Sequence, residues 1–244
     1  MTPSKFVDAL ETGAKNTLSI AVACGIAGII AGVVTMTGLG QVFISAIVGV
    51  SRGHLMIALV LTMICCIILG MGVPTTATYI IMATTCAPIL TTGMGLNALC
   101  ASMFVFYFGI VADITPPVAL AAYAGSAIAK SDPMKTALNA SKLAIAAFLI
   151  PYMFCLNPAM LLIDTNAMEF VFIIITSVVG MFAIAAGLEG YMLTKLGVVM
   201  RIVLIAAGLM LIYPGTFTDV VGTVITLAMF VLQFAMRKKG GAYA

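Results

Sequence analysis

Apolar residues occur along this chain in long blocks that short breaks separate. Three such blocks extend from Leu18 to Val50, from His54 to Leu69 and from Tyr79 to Leu90, and others follow to the C-terminus. Apolar runs of about 20 residues predict membrane helices, whereas barrel strands give short alternating segments. The pattern predicts an all-α integral membrane protein, a polytopic helix bundle.

Composition supports this fold class and narrows the partners. Apolar types make up 63% of the 244 residues and charged types 8%, whereas soluble domains carry about a quarter charged residues. Few segments could form a polar outer face, so the expected partner is a lipid bilayer. No basic stripe lies beside aromatic residues, which excludes nucleic acid as a partner.

The blocks also predict an organisation into three parts. Residues 1–16 are polar and fit an interfacial amphipathic helix, residues 17–162 form the central part, and residues 163–244 hold three more apolar stretches, a C-terminal membrane extension. The positive-inside rule places the basic cluster 237–239 and the C-terminus in the cytoplasm. When the sides of the membrane are then assigned in alternation back along the chain, only Arg52 among the basic residues is placed outside.

The first break of chemical interest lies between two apolar runs at residues 70–78. It holds two glycines, a proline and three threonines, with no charge. Non-helical backbone is tolerated at membrane depth only where protein or water shields it from lipid. We therefore predict the tip of a re-entrant helical hairpin that lines a polar cavity. The candidate binding residues at this tip are Gly70, Gly72, Val73, Pro74, Thr75, Thr76 and Thr78.

The second break lies at Asp113–Pro117, where Thr115 precedes Pro116 and Pro116 precedes Pro117. Proline lacks an N–H and pushes the preceding residue away from helical geometry, so the helix must unwind here. The carbonyls before the prolines then need a neighbour, water, an ion or a substrate. Asp113 lies about midway along this apolar segment, and a carboxylate at that depth indicates function. Asp113, Thr115, Pro116 and Pro117 complete the candidate site.

Two discontinuous helices that meet at the membrane midplane are the general layout of a secondary transporter site. Backbone and hydroxyl oxygens suit a hard cation, and the candidate Na⁺ ligands are Gly72, Thr75, Thr76 and Thr115. The start of the second hairpin helix favours an anionic group. Asp113 keeps proton coupling open, so the sequence leaves Na⁺ and H⁺ as alternatives. No cofactor is expected besides the coupling ion.

Two other functions compete with transport. The chain could be a non-transporting scaffold subunit of a larger membrane complex, with the breaks serving only helix packing. An intramembrane enzyme would need a nucleophile, a base or a metal set, and Asp113 with His54 is too few groups. We therefore expect no enzyme and assign no catalytic residue.

Three motifs resemble a known transporter family: GMGVPTTATYI at 70–80, FVFYFGIVADITPPVALAAY at 104–123 and AKSDPMKT at 129–136. They resemble the TRAP transporters, the tripartite ATP-independent periplasmic family, and within it the large fused permease that works with TAXI-type binding proteins. The resemblance implies a multi-pass protein of the bacterial inner membrane that imports organic acids (carboxylates) by symport. A soluble periplasmic substrate-binding protein delivers the substrate, and an ion gradient drives the import.

The resemblance also implies an inverted-repeat, elevator-type architecture. Residues 17–162 would form the second transport repeat, with the hairpin at 54–92 and a discontinuous helix at 98–129. Only one hairpin and one Thr-Pro-Pro break occur in the chain. The expectation is therefore that the chain is the C-terminal part of the permease, and that an N-terminal permease half with small-subunit helices is its partner.

Overall fold

A computed structural model describes the backbone of residues 3–213 and 215–240, and the side chains of these residues except 3, 16, 19, 20, 216 and 235–240. The basic side chains at 237–239 thus lie outside the described part. The described backbone consists of α-helices joined by short turns, which confirms the predicted all-α polytopic fold. The chain divides into two compact units, Met1–Ser141 and Lys142–Ala244.

The first unit contains the hairpin and the Thr-Pro-Pro break. Its helices are α1 (Pro3–Thr37), α2 (Leu39–Ser51), α3 (Leu55–Gly70), α4 (Thr75–Thr85), a π-helical turn (Ile89–Gly93), α5 (Ala98–Val111), a 3₁₀ turn (Ala112–Ile114), α6 (Leu120–Ala129) and most of α7 (Pro133–Leu143). The second unit has α8 (Ile145–Leu156), a 3₁₀ turn (Pro158–Leu161), α9 (Ala167–Glu189), α10 (Val198–Ile212) and α11 (Thr216–Gly240).

Helix α1 extends across the border that the sequence analysis draws after residue 16. It runs without interruption from Pro3 to Thr37, so the polar segment predicted at 1–16 is continuous with the apolar one. Lys15 Nζ donates to Glu11 Oε1 at 2.5 Å, a spacing that stabilises a helix and gives no reason for it to end. A change of polarity alters the surroundings of a helix without breaking it, and the interfacial position of this segment stays a prediction.

Helix α1 ends where glycine permits a bend. Gly38 has a φ of 69° and separates α1 from α2, and the two helices are inclined by 72°. A residue in the left-handed region is most easily glycine. The long apolar run from Leu18 to Val50 therefore forms most of a pair of helices with a bend at Gly38.

Helix α7 begins at a capped turn. Asp132 Oδ1 accepts a hydrogen bond from Lys135 N at 3.0 Å, and Pro133 occupies the first helical position. A side-chain oxygen at this position satisfies an N–H that the first turn leaves unpaired.

Several described helices are long and apolar enough to cross a membrane. Ala167–Glu189 and Phe217–Phe234 qualify singly, and Ala21–Thr37 with Leu39–Ser51, or Pro133–Leu143 with Ile145–Leu156, qualify as pairs. The helices that flank the two breaks, Leu55–Gly70, Ala98–Ile114 and Leu120–Ala129, are apolar but shorter. Short apolar helices on either side of a break are what discontinuous membrane helices require.

Glycine lets helices of the second unit approach closely. A methyl group added at Gly208 of α10 would lie 2.6 Å from the carbonyl oxygen of Gly180 of α9. One added at Gly222 of α11 would lie 2.9 Å from the carbonyl oxygen of Ala207. Small residues that bring backbones together are typical of membrane helix contacts, so α9, α10 and α11 pack as one tight bundle.

Candidate functional site

The hairpin tip is a four-residue turn between α3 and α4. Gly72 has a φ of 75°, a left-handed conformation that glycine adopts without strain. Pro74 caps α4, and its carbonyl accepts the first helical hydrogen bond from Thr78 N at 2.9 Å. The preceding amides of α4 have no partner within the helix and form its positive end.

The threonines of the tip divide into two groups. Thr75 and Thr76 are exposed at the start of α4, where their hydroxyls and amides remain accessible. Thr78 is buried, and its Oγ1 donates to the carbonyl of Val73 at 3.1 Å. Thr78 thereby holds the turn closed, so it shapes the tip while Thr75 and Thr76 face outward.

The second break lies between α5 and α6. The 3₁₀ turn Ala112–Ile114 ends the first half-helix, and Leu120 begins the second. Asp113 is half-buried within this turn, and the exposed Pro117 follows a cis peptide bond. The predicted unwinding at Asp113–Pro117 is thus observed in the structure.

Side chains of the protein take up carbonyls that the break releases. Thr115 Oγ1 donates to Val111 O at 2.7 Å, and Tyr123 Oη donates to Pro117 O at 2.5 Å. Ser141 Oγ, on α7, donates to Ile114 O at 3.0 Å. Neighbouring hydroxyl groups are thus partners of these three carbonyls. Each hydroxyl oxygen retains lone pairs that can bind a cation or accept another hydrogen bond.

The tip and the break are in direct contact. A methyl group added at Gly70 would lie 2.9 Å from Cβ of Ala112 and 3.3 Å from the carbonyl oxygen of Gly109. On the α4 side, a methyl group at Gly109 would lie 3.1 Å from Cγ2 of Thr78. Helices α3, α4 and α5 therefore meet at glycines, and the two interruptions occupy one region of the first unit.

Larger side chains surround this contact. The rings of Tyr79 and Phe106 meet edge to face, with centroids 5.6 Å apart, and Met82 is fully buried beside Gly70 and Gly109. On the opposite side, Ala27 of α1 packs against the α4 residues Ala77 and Ile81. The accessible residues of the tip are therefore held by packed side chains of the surrounding helices.

The structure brings some of the predicted site residues into contact with the second break and leaves others exposed or bonded within their own segment. Gly70 and Thr78 contact α5 or the 3₁₀ turn that follows it, and a methyl group at Gly72 would lie 3.9 Å from Cγ1 of Val118 just after the prolines. Thr75 and Thr76 are exposed, and Thr115 bonds within its own break. A role in binding for any of these residues stays a prediction.

Four residues of this region were missed by the sequence analysis. They are Met82, Gly109, Tyr123 and Ser141, which contact the tip or bond to the break. Tyr123 is six positions from its acceptor, a spacing that local patterns could suggest. Ser141 is 27 positions from its acceptor, and no local signal identifies such a partner.

Comparison with known families decides the identity of the chain. Residues 1–170 match the family model described as "Tripartite ATP-independent periplasmic transporter, DctM component". The chain belongs to this family. It is therefore a multi-pass membrane permease subunit of a TRAP transporter, as the motifs of the hairpin and the break indicate. No curated protein and no solved structure gives a significant match.

The family match includes both breaks and stops near the start of α9. The TRAP permease region thus contains α1 to α8, whereas most of the α9–α11 bundle follows it. The family match therefore assigns no role to most of the α9–α11 bundle.

Proposed function

We propose that this TRAP permease subunit imports organic acids into bacteria across the inner membrane, in symport with Na⁺ or H⁺. A periplasmic binding protein of the TAXI type delivers the substrate, and an N-terminal permease half with small-subunit helices completes the transporter. The hairpin 54–92 is re-entrant, and the C-terminus is cytoplasmic. Residues 17–162 move as the second repeat of an elevator.

The observation that carries the proposal is the contact between Gly70 and Ala112, which joins the hairpin tip to the proline break. Two interrupted helices that meet are the arrangement in which half-helix ends and backbone oxygens bind substrate and ion. The accessible hydroxyls of Thr75 and Thr76 and the carboxylate of Asp113 supply polar groups at that place. The start of α4 attracts the carboxylate of an organic acid.

Coupling-ion binding follows from the same groups. Na⁺ takes oxygen ligands from Gly72, Thr75, Thr76 and Thr115, and in the alternative Asp113 carries a proton. Each bound Na⁺ or proton offsets one negative charge of a bound carboxylate substrate. The scaffold alternative explains the tight contact but gives no reason for exposed threonines beside it.

The experiment is uptake of radiolabelled succinate and glutamate by cells that express the complete transporter. We expect Asp113→Asn and the double variant Thr75→Ala/Thr76→Ala each to lower uptake about tenfold or more, because each removes ligands of a charged group. An imposed Na⁺ gradient and an imposed pH gradient distinguish the two coupling ions.

Matched controls use the same substitutions elsewhere. Thr92→Ala changes an exposed threonine of the π-helical turn, and Asp164→Asn changes an exposed aspartate before α9, so both should leave uptake unchanged. Wild-type uptake in the Asp113 and threonine variants, at equal membrane levels, would reject the proposed site and favour a scaffold.

A further inference from the structure

A small polar cavity lies inside the second unit. Its volume is about 20 Å³, enough for one water-sized occupant. Apolar side chains, among them Met153 and Leu211, form part of its wall. Four polar side chains also line it: Asn157, Thr176, Ser177 and Asp219. Oxygen-bearing groups thus converge from the end of α8, from α9 and from α11.

The two α9 hydroxyls are almost fully buried. Thr176 is 8% exposed and Ser177 is 6% exposed. Thr176 Oγ1 donates to Ile173 O at 3.0 Å, so its oxygen still has lone pairs for a ligand. Ser177 lines the same cavity, and a hydroxyl oxygen can bind a cation through its lone pairs.

The turn before α11 fixes the position of Asp219. Its N–H donates to Gly215 O at 2.9 Å, and the neighbouring Thr218 Oγ1 donates to Tyr213 O at 3.0 Å. Asp219 lies within the apolar segment Phe217–Phe234, and it forms no ion pair with a described basic side chain. Asp219 is the third residue of this segment and is half-buried, and a carboxylate partly withdrawn from water is stabilised by a nearby positive charge.

We propose that this cavity binds one small monovalent metal cation, with Na⁺ as the fitting ion. One carboxylate balances a single positive charge, and neutral oxygens from Asn157, Thr176 and Ser177 complete a hard-ligand set. Divalent ions usually take more than one carboxylate or retain several waters, and the cavity has room for neither. The site is separate from the hairpin and the proline break, and the proposed transport function does not depend on it.

Binding of Na⁺ to the folded state raises its thermal stability by mass action. The test follows unfolding of the purified full chain in detergent as NaCl replaces choline chloride at constant ionic strength. The background is Thr75→Ala/Thr76→Ala, which removes proposed hairpin ligands. We expect a saturable rise of Tm with Na⁺ that is absent after Asp219→Asn. Ser177→Ala should raise the apparent Kd for Na⁺ about tenfold or more.

Asp164→Asn is the matched control, because it removes an exposed carboxylate shortly before α9. Its Na⁺ response should equal that of the background. An equal response in Asp219→Asn, no response in the background, or a response to pH but not to Na⁺ would each overturn the proposal. Should Asp219→Asn fail to elute as a single folded species, the Ser177→Ala titration decides alone. Uptake defects of the threonine variants are measured separately, so failure of either proposal is recognised independently.

Discussion

Glycine has different roles at the hairpin of the first unit and inside the helical bundle of the second unit. In the first unit, Gly70 ends α3 and Gly72 turns the chain, so glycine accompanies interruption of the helix. In the second unit, Gly180 and Gly208 lie inside the unbroken helices α9 and α10 and bring their backbones together. The same residue type therefore accompanies an interruption at the hairpin, where Gly70 also permits a close contact with Ala112, and close packing without interruption at Gly180 and Gly208.

The difference lies in the polar residues that accompany the glycines. Around residues 70–78 glycine is followed by proline and threonines, which stop the helix and then supply hydroxyls. Around Gly180, Gly208 and Gly222 the neighbours are mainly apolar, so the helices continue and only their separation decreases. The number of glycines alone therefore does not distinguish a binding site from a packed bundle. The residues next to each glycine do.

The largest effect on stability is expected in the packed bundle. In Gly208→Ala the new methyl group would lie 2.5 Å from Cγ1 of Ile184 and 2.6 Å from the carbonyl oxygen of Gly180. Backbone cannot yield as a flexible side chain does, so the free energy of unfolding should fall by about 1–3 kcal/mol. Thermal unfolding in detergent measures the change.

The control for Gly208→Ala is Gly28→Ala on α1. A methyl group at Gly28 has no atom within 4 Å, and alanine favours a helix over glycine by about 1 kcal/mol. Its unfolding midpoint should therefore stay equal or rise. Equal midpoints for the Gly208 variant and the wild type would contradict close packing of α9 on α10.

A smaller loss of stability, with a loss of uptake, is expected at the hairpin. In Gly70→Ala the methyl group would lie 2.9 Å from Cβ of Ala112 and 3.1 Å from Cε of Met82. The end of Met82 can move, but Cβ of Ala112 is fixed to its backbone, so the tip must shift away from the break. The free energy of unfolding should fall by about 1–2 kcal/mol, less than in Gly208→Ala, where the contacts are closer. Cellular uptake of labelled succinate and glutamate, normalised to membrane level, should fall several-fold.

Gly49→Ala is the matched variant for Gly70, since a methyl group at Gly49 of α2 also has no atom within 4 Å. Normal uptake in Gly70→Ala would show that transport does not need the close contact between the hairpin tip and the proline break. Reduced uptake in Gly208→Ala, at equal membrane level, would show that the two units do not divide function as the comparison proposes.

Local chemistry explains which parts of this fold were predictable. Proline and glycine act on the backbone of their own and adjacent residues, so the interruptions at Gly70–Pro74 and Asp113–Pro117 follow from the sequence. The capped start at Pro133 is local in the same way. The hydrophobic pattern does not decide whether α1 is continuous beyond residue 16, because a change of polarity does not end a helix.

Long-range contacts could not be derived in this way. The bond from Ser141 to Ile114 and the cavity around Ser177 and Asp219 join residues that are distant in the sequence. Their formation depends on how helices pack, and hydrophobic blocks without a polar face leave that packing open. The contact of Gly70 with Ala112 was expected only in outline, as two interruptions that meet.

The smallest effect is expected from one hydroxyl at the proline break. Tyr123→Phe removes the hydrogen bond from Tyr123 Oη to Pro117 O, whose net worth is about 1 kcal/mol. The break should open more often, and exchange of the Ala119 amide, which donates to Thr115 O at 3.2 Å, should become about fivefold faster. Hydrogen exchange followed by mass spectrometry measures this, with the exposed Tyr191→Phe as control.

Unchanged exchange at Ala119 would mean that Thr115 and Ser141 hold the break without Tyr123, whereas equal acceleration in the control would mean that the effect is not local. In the packed bundle no such amide should respond, because its helices have no interruption for a side chain to close.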